Sequence, residues 1–301
     1  MTEYTPDDFE RLIRDRSNWG RWGADDEVGA INLITPEKRA AAARLVRSGR
    51  SVSLSMPFPV KPAADNPRPA VHFMRINDRG SGAGAATDYY GVEYHGLICT
   101  HIDALSHTWD ANGMWQGWKP EETITTSGAR RGGIENWRDG IVTRGVLLNV
   151  PASRGTAYVT ADEPVHGEEL RAIAKAQGVT PEPGDCLVVY SGRQRWNTEN
   201  PPIGTQPARP GLHASCLEYI RDIDCALIAW DMQDATPIVG GLPWSVHAAI
   251  HAFGVAIIDN CDLEDLAQAC DAEGRYEFML VVAPLIVNGG TGSPANPLAV
   301  F

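Results

Sequence analysis

The chain has 301 residues, 43% of them hydrophobic, and its 38 acidic against 26 basic side chains give a formal net charge of −12. That balance, without any stripe of Lys or Arg, argues against nucleic acid as a partner, and no run of about 18 apolar residues offers a membrane span. The first twenty residues lack a basic segment followed by an apolar one and the six cysteines form no CxxC pair, so a cytoplasmic protein with reduced, buried thiols is expected.

In chain order, residues 6–16 carry a helical pattern, and Thr35-Pro36 opens a second helix as N-cap and first helical position, running to about Gly49. Residues 1–50 therefore read as a helical N-terminal arm. The alternation of SVSLSMPF (51–58) predicts a strand, while residues 60–92, rich in Pro, Gly, Asp and Asn, predict a long surface excursion of the kind that carries function. A strand is predicted over 92–104. Glycine-bounded apolar runs at 140–150 and 184–192 predict buried strands, with a helix between them over 160–179 spaced by Leu170, Ile173 and Ala174. Residues 225–232 then predict a strand, 243–253 a helix closed by Gly254, 255–260 a strand, 262–271 a helix and 276–287 a long last strand. Helices and strands mix throughout without a linker or repeat, which points to one domain over residues 1–301 of α/β or α+β class.

YHGLICTHIDALSH (94–107) holds three of the eight histidines. Alternate residues of a strand share a face, so His101 and Asp103 point the same way with backbones about 6.6 Å apart, close enough to share one cation. An imidazole and a carboxylate suit Zn, Mn or Fe better than Ca or Cu(I). His95 and His107 have the same parity but need a bend to reach that point; otherwise they are strand-end histidines bonded to backbone. Cys99 is either a ligand or a small core residue. Further along, His247 and His251 lie one helical turn apart, before a strand that ends at Asp259. Ala248 stands where a zinc protease would carry its glutamate, so that reading is excluded. His247 and Asp259 remain as metal ligands or structural groups.

These residues resemble the cyclase family of metal-dependent hydrolases, which includes bacterial kynurenine formamidase and isatin hydrolase. The family motif is H-x-G-T-H-x-D-x-P-x-H, and CTHIDALSH (99–107) matches its Thr, second His, Asp and last His. TRGVLLNVP, GDCLVVYSGR, the spacing of His247 and Asp259, and APLIVNGGTGSPANPLAVF extend the likeness over residues 18–301. The resemblance implies that His101 and Asp103 hold the metal, that His107 is the catalytic acid/base, and that His247 and Asp259 help bind the same or a second ion. Leu97 stands where the first motif histidine belongs. His95, two residues earlier, reaches the site only if residues 95–99 bulge, and Leu105 replaces the motif proline.

The implied fold is α/β with a swivelling β/β/α-like barrel core, assembled as a homodimer or homotetramer. Trp109 and Trp115 would then wall a substrate pocket, or else supply core area. A Zn or Mn ion held by His95, His101 and Asp103 would lower the pKa of bound water and polarise a carbonyl, while His107 moves the proton. The expected reaction is hydrolysis of an amide, cyclic amide or lactone bond in a small aromatic or carboxylate-bearing molecule. A metal-dependent cyclase or lactonase, or a family member that only binds a ligand because Leu97 has emptied the site, are the alternatives. A serine hydrolase is not expected, for the chain has no GxSxG and Ser106 would face away from His107. GGTGS (289–293) offers either backbone donors to an oxyanion or a plain turn.

Overall fold

The computed structural model describes residues 4–80 and 82–301; residues 1–3 of the expected N-terminal arm lie outside the described residues. Its helices are α1 (Pro6–Asp15), α2 (Pro36–Ala43), α3 (Pro120–Thr123), α4 (Val150–Arg154), α5 (Gly167–Ala176), α6 (Arg193–Glu199), α7 (Cys216–Asp222), α8 (Ala248–Phe253) and α9 (Glu264–Glu273). Strands β1 (Ser51–Ser53), β2 (Val71–Asp78), β3 (Gly84–Gly91) and β4 (His101–Asp103) precede a small hairpin of β5 (Ile124–Thr125) and β6 (Gly128–Ala129). Then come β7 (Ile141–Asn149), β8 (Cys186–Tyr190), β9 (Leu227–Trp230) and β10 (Ala256–Asp259), followed by β11 (Glu277–Val282), β12 (Gly292–Pro294) and β13 (Leu298–Val300).

Nine strands form one curled mixed sheet in the order β1-β13-β11-β7-β8-β9-β10-β4-β12. β7 to β10 run parallel at its centre, and the strands on both sides are antiparallel. Runs rich in Val, Ile and Leu suit these central strands because both of their faces are covered. Along each strand the side chains alternate between two core layers. Val146, Leu148, Leu187, Val189, Ile228 and Ile257 pack with α1, α5, α7 and α8, whereas Leu147, Val188, Leu227, Ala229 and Ile258 pack with α9. Phe9 and Ile13 place α1 in the first layer. Thr5 and Thr35 cap α1 and α2 through their side chains, in each case ahead of a proline.

Several boundaries differ from the sequence expectation. α2 stops at Ala43, and Val46 beyond it is 36% exposed, so no apolar face extends the helix to Gly49. The surface excursion at 60–92 contains the β2–β3 hairpin, whose strands are exposed at every position but Gly91, so it lacks the in-and-out alternation that marks a half-buried strand. The last long strand ends at Val282, just ahead of Pro284, which has no N–H for a ladder, and Leu285–Val287 lie exposed. The strand expected over 92–104 is reduced to β4. Among the described residues no helix is long and apolar enough to cross a membrane.

Candidate metal centre

The parallel strands deliver their carboxyl ends to one rim of the sheet, the place where open α/β sheets bind ligands. Asp259 is the last residue of β10, and Asp231, Gln233 and Asp234 follow directly on β9. β4 lies antiparallel to β10 in a register that sets His101 opposite Asp259 and Asp103 opposite Ile257. On its other side β12 pairs Gly292 with Asp103 and Pro294 with His101, so GGTGS serves as a buttress of β4.

His95 arrives by another route. Residues 95–99 form a series of bends, with Gly96 at φ 147°. The bends are held from outside: the Gly96 carbonyl accepts from Gln233 Nε2 at 2.9 Å and Asn260 Nδ2 at 2.7 Å, and the Leu97 carbonyl accepts from the buried Arg193 guanidinium. With these carbonyls engaged by side chains no strand ladder forms. The detour carries the Leu97 side chain toward Gly204 and brings His95 Nδ1 to 2.9 Å from Asp103 Oδ1. His95 Nε2 is fixed by Thr291 Oγ1 at 3.0 Å.

The ligand atoms form two sets that share Asp103: His95, His101 and Asp103, and Asp103, His247 and Asp259, each within a span of 4.8 Å. His101 Nε2 lies 3.3 Å from Asp103 Oδ1 and 3.8 Å from Asp259 Oδ2, and His247 Nε2 lies 3.4 Å from Asp259 Oδ2. Asp103 is fully buried, yet neither of its oxygens accepts a hydrogen bond, and His95 Nδ1 donates none despite its short approach. A buried carboxylate left in that state costs several kcal/mol unless a cation compensates it. Lone pairs that converge on a common point, and not on one another's hydrogens, are what a metal ion requires, so the donor set of imidazoles and carboxylates fits a first-row divalent ion.

The outer groups fix the inner ones. His101 Nδ1 meets the Cys99 carbonyl at 2.8 Å and His247 Nδ1 meets Asp234 Oδ2 at 2.5 Å, which leaves both Nε2 atoms facing the cluster. Asp259 accepts from Trp230 Nε1 and Gln233 Nε2. Burial works to raise the Asp103 pKa, but His107 and His101 outweigh it and hold the carboxyl well below its usual range. Burial likewise pulls His101 down, and Asp103 with Asp259 more than reverse this, pushing it up to about 9. His247 is raised well above its ordinary value against its burial, by Asp234 and Asp259.

His107 differs from the rest. Its ring stacks on His95 with centroids 3.9 Å apart, its Nε2 lies 3.9 Å from Asp103 Oδ1, and its side chain is 22% exposed. Burial, with His95 and His247 adding to it against Asp103, lowers its pKa to about 4. It is thus a neutral, solvent-reachable base beside the cluster and outside both ligand sets.

The cavity over the cluster measures about 320 Å³ and its wall includes Leu97, Ile238, Pro243 and Trp244. The structure places Trp115 elsewhere than on that wall: it is 0% exposed in the second core layer, with Nε1 donating to the Asp26 carbonyl, because Trp22 and Gly254 close over it. Trp109 is exposed, and its carbonyl accepts from Trp244 Nε1 at 2.9 Å. His251 stands apart, with Thr108 and Asp110 as neighbours, and Cys99 is a buried thiol whose pKa burial raises to about 11. Sequence reading missed Gln233 and Asp234, although their position just after a buried apolar run was a usable signal, and it missed Trp230, the last residue of β9, and Trp244.

The model of the Cyclase family matches residues 52–236. A crystal structure described as a novel cyclase is similar over 96% of this chain and 99% of its own, at 32% identity and a TM-score of 0.85. Isatin hydrolase A from Ralstonia solanacearum shares the fold at 17% identity and a TM-score of 0.57, over 88% of this chain and 97% of its own. An isatin hydrolase bound to the product analogue thioisatinate does so at 14% identity and 0.55, over 83% and 91%. No curated protein matches the chain. The family match and the likeness in sequence and fold to the cyclase structure over nearly the whole chain establish that this protein belongs to the cyclase family.

Proposed function

We propose that the chain is a metal-dependent hydrolase that opens an amide, cyclic amide or lactone bond of a small molecule, with His107 as its general acid/base. One observation carries the reading: the fully buried, unbonded Asp103 carboxylate sits among His95, His101, His107 and His247 with Asp259 alongside. The likeness to two isatin hydrolases supports the same class of reaction.

His95, His101 and Asp103, with His247 and Asp259 as further ligands, would hold a Zn or Mn ion, which when bound would supply Lewis acidity to a carbonyl and acidity to water. The chain's own residues do the rest. His107 is neutral at pH 7, so its imidazole can take the proton from the attacking water and return it to the departing nitrogen or oxygen. Trp244, Ile238 and Pro243 give the cavity beside it an apolar wall. Because His95 stands in for the missing motif histidine at Leu97, a ligand-binding relic is not the reading this site favours.

Elemental mass spectrometry of protein purified without chelator is expected to find about one Zn or Mn per chain, lost in His95→Ala. His107→Ala should keep the metal and lower the hydrolysis of formanilide, isatin or dihydrocoumarin, whichever is turned over, by about a hundredfold or more. Wild-type protein that holds no ion after replenishment, or a His107→Ala variant with full activity, overturns the reading.

A further inference from the structure

Among the described residues Arg209 is the only Lys or Arg that lines the cavity over the metal cluster. Among the described residues its guanidinium forms no ion pair and no hydrogen bond, although three carboxylates belong to the same centre. Each of those carboxylates is otherwise committed. Asp234 takes His247 Nδ1 and the Val246 N–H, Asp259 takes Trp230 and Gln233, and the Asp103 oxygens face the candidate ligands. The arginine is held in place by backbone: its N–H meets Thr236 Oγ1 at 2.9 Å, and the Thr236 N–H returns to the Arg209 carbonyl at 3.0 Å. It is therefore fixed to the segment that also carries Gln233 and Asp234.

A guanidinium is a rigid fork of donors matched to a carboxylate, and one that stays unpaired in a half-enclosed cavity is available to a ligand. The molecule's net charge of −12 gives an anion no long-range attraction, so an anionic substrate needs a local cation. Trp244, whose ring lies 5.7 Å from that of His247, supplies an aromatic face in the same cavity. We infer that Arg209 is a specificity residue that binds a carboxylate carried by an aromatic substrate beside its scissile bond. The inference rests on the hydrolase reading for the identity of the ligand as substrate, but anion recognition can be tested apart from turnover.

The test is calorimetric titration of the metal-loaded full chain with benzoate and with benzamide, in the wild type, Arg209→Gln and Arg209→Lys. Benzoate is expected to bind the wild type about tenfold more tightly than benzamide. Arg209→Gln should abolish that preference without changing benzamide affinity or metal content, and Arg209→Lys should keep part of it. A preference that survives intact in Arg209→Gln would assign the carboxylate to the metal ion and overturn the proposal, as would a wild type that does not discriminate. If the preference depends on Arg209 but no amide or lactone is hydrolysed, the hydrolase reading fails and anion recognition stands.

Discussion

Asp103 belongs to both sets of candidate ligands, and its burial makes it the residue on which the charge balance of the site turns. Replacing one oxygen by an amide in Asp103→Asn removes the negative charge that holds the imidazoles together, so metal affinity should fall by more than about a hundredfold. Asp234→Ala acts one step further out: without a partner for Nδ1, His247 loses its fixed tautomer and ring orientation, and affinity should fall by about 10–100-fold. Competition with a chromophoric chelator measures both, and an Asp234→Ala loss as large as that of Asp103→Asn would place Asp234 among the direct ligands. His101, Asp103 and His107 were legible in the sequence because a strand and the turn after it keep them close in number. Asp234 and Arg209 were not, since their nearness to the site follows from where β9 ends in the sheet.

At the scale of elements, β4 is only three residues long and depends on its neighbours for its position. Gly292 of β12 lies so close that a Cβ there would sit 2.5 Å from the Ile102 carbonyl and 3.1 Å from the His95 ring. The carbonyl belongs to the sheet and cannot swing aside, so Gly292→Ala should cost about 1–3 kcal/mol in thermal unfolding and also weaken metal binding. A stability loss with unchanged metal affinity would show that β4 moves as a unit without disturbing its ligands. The same dependence explains what could be read in advance. β7, β8, β9 and β10 announce themselves by apolar runs because they are covered on both faces, whereas the bends at 95–99 are made by Arg193, Gln233 and Asn260 from distant segments. Local pattern over 92–104 therefore suggested a continuous strand, and although parity and the required bulge at 95–99 gave His95 a route to the site, the distant groups that hold the bends were not readable.

Over the whole molecule, the helices of the first core layer are joined by a second histidine pair far from the metal centre in sequence. His166 precedes α5 and His213 precedes α7; their rings are 4.4 Å apart, and Ser215 Oγ lies 3.1 Å from the Nδ1 atom of each. Burial, and then the neighbouring His166, lower the His213 pKa to about 4. The Ser215 N–H also donates to His213 Nδ1, an interaction that only the unprotonated ring nitrogen can accept. The unfolded chain, with an ordinary histidine pKa of about 6.5, takes up a proton that the folded chain refuses, so stability is complete above that pH and is lost as the pH falls toward 4. For a half-buried ring the loss amounts to about 1–2 kcal/mol, or a few degrees in Tm. Differential scanning calorimetry at pH 7 and pH 5 should show a smaller fall for His213→Asn than for the wild type, because the asparagine keeps a polar contact and does not titrate. An equal fall in both proteins would move the acid sensitivity from the contact between α5 and α7 to the remaining titratable groups of the chain.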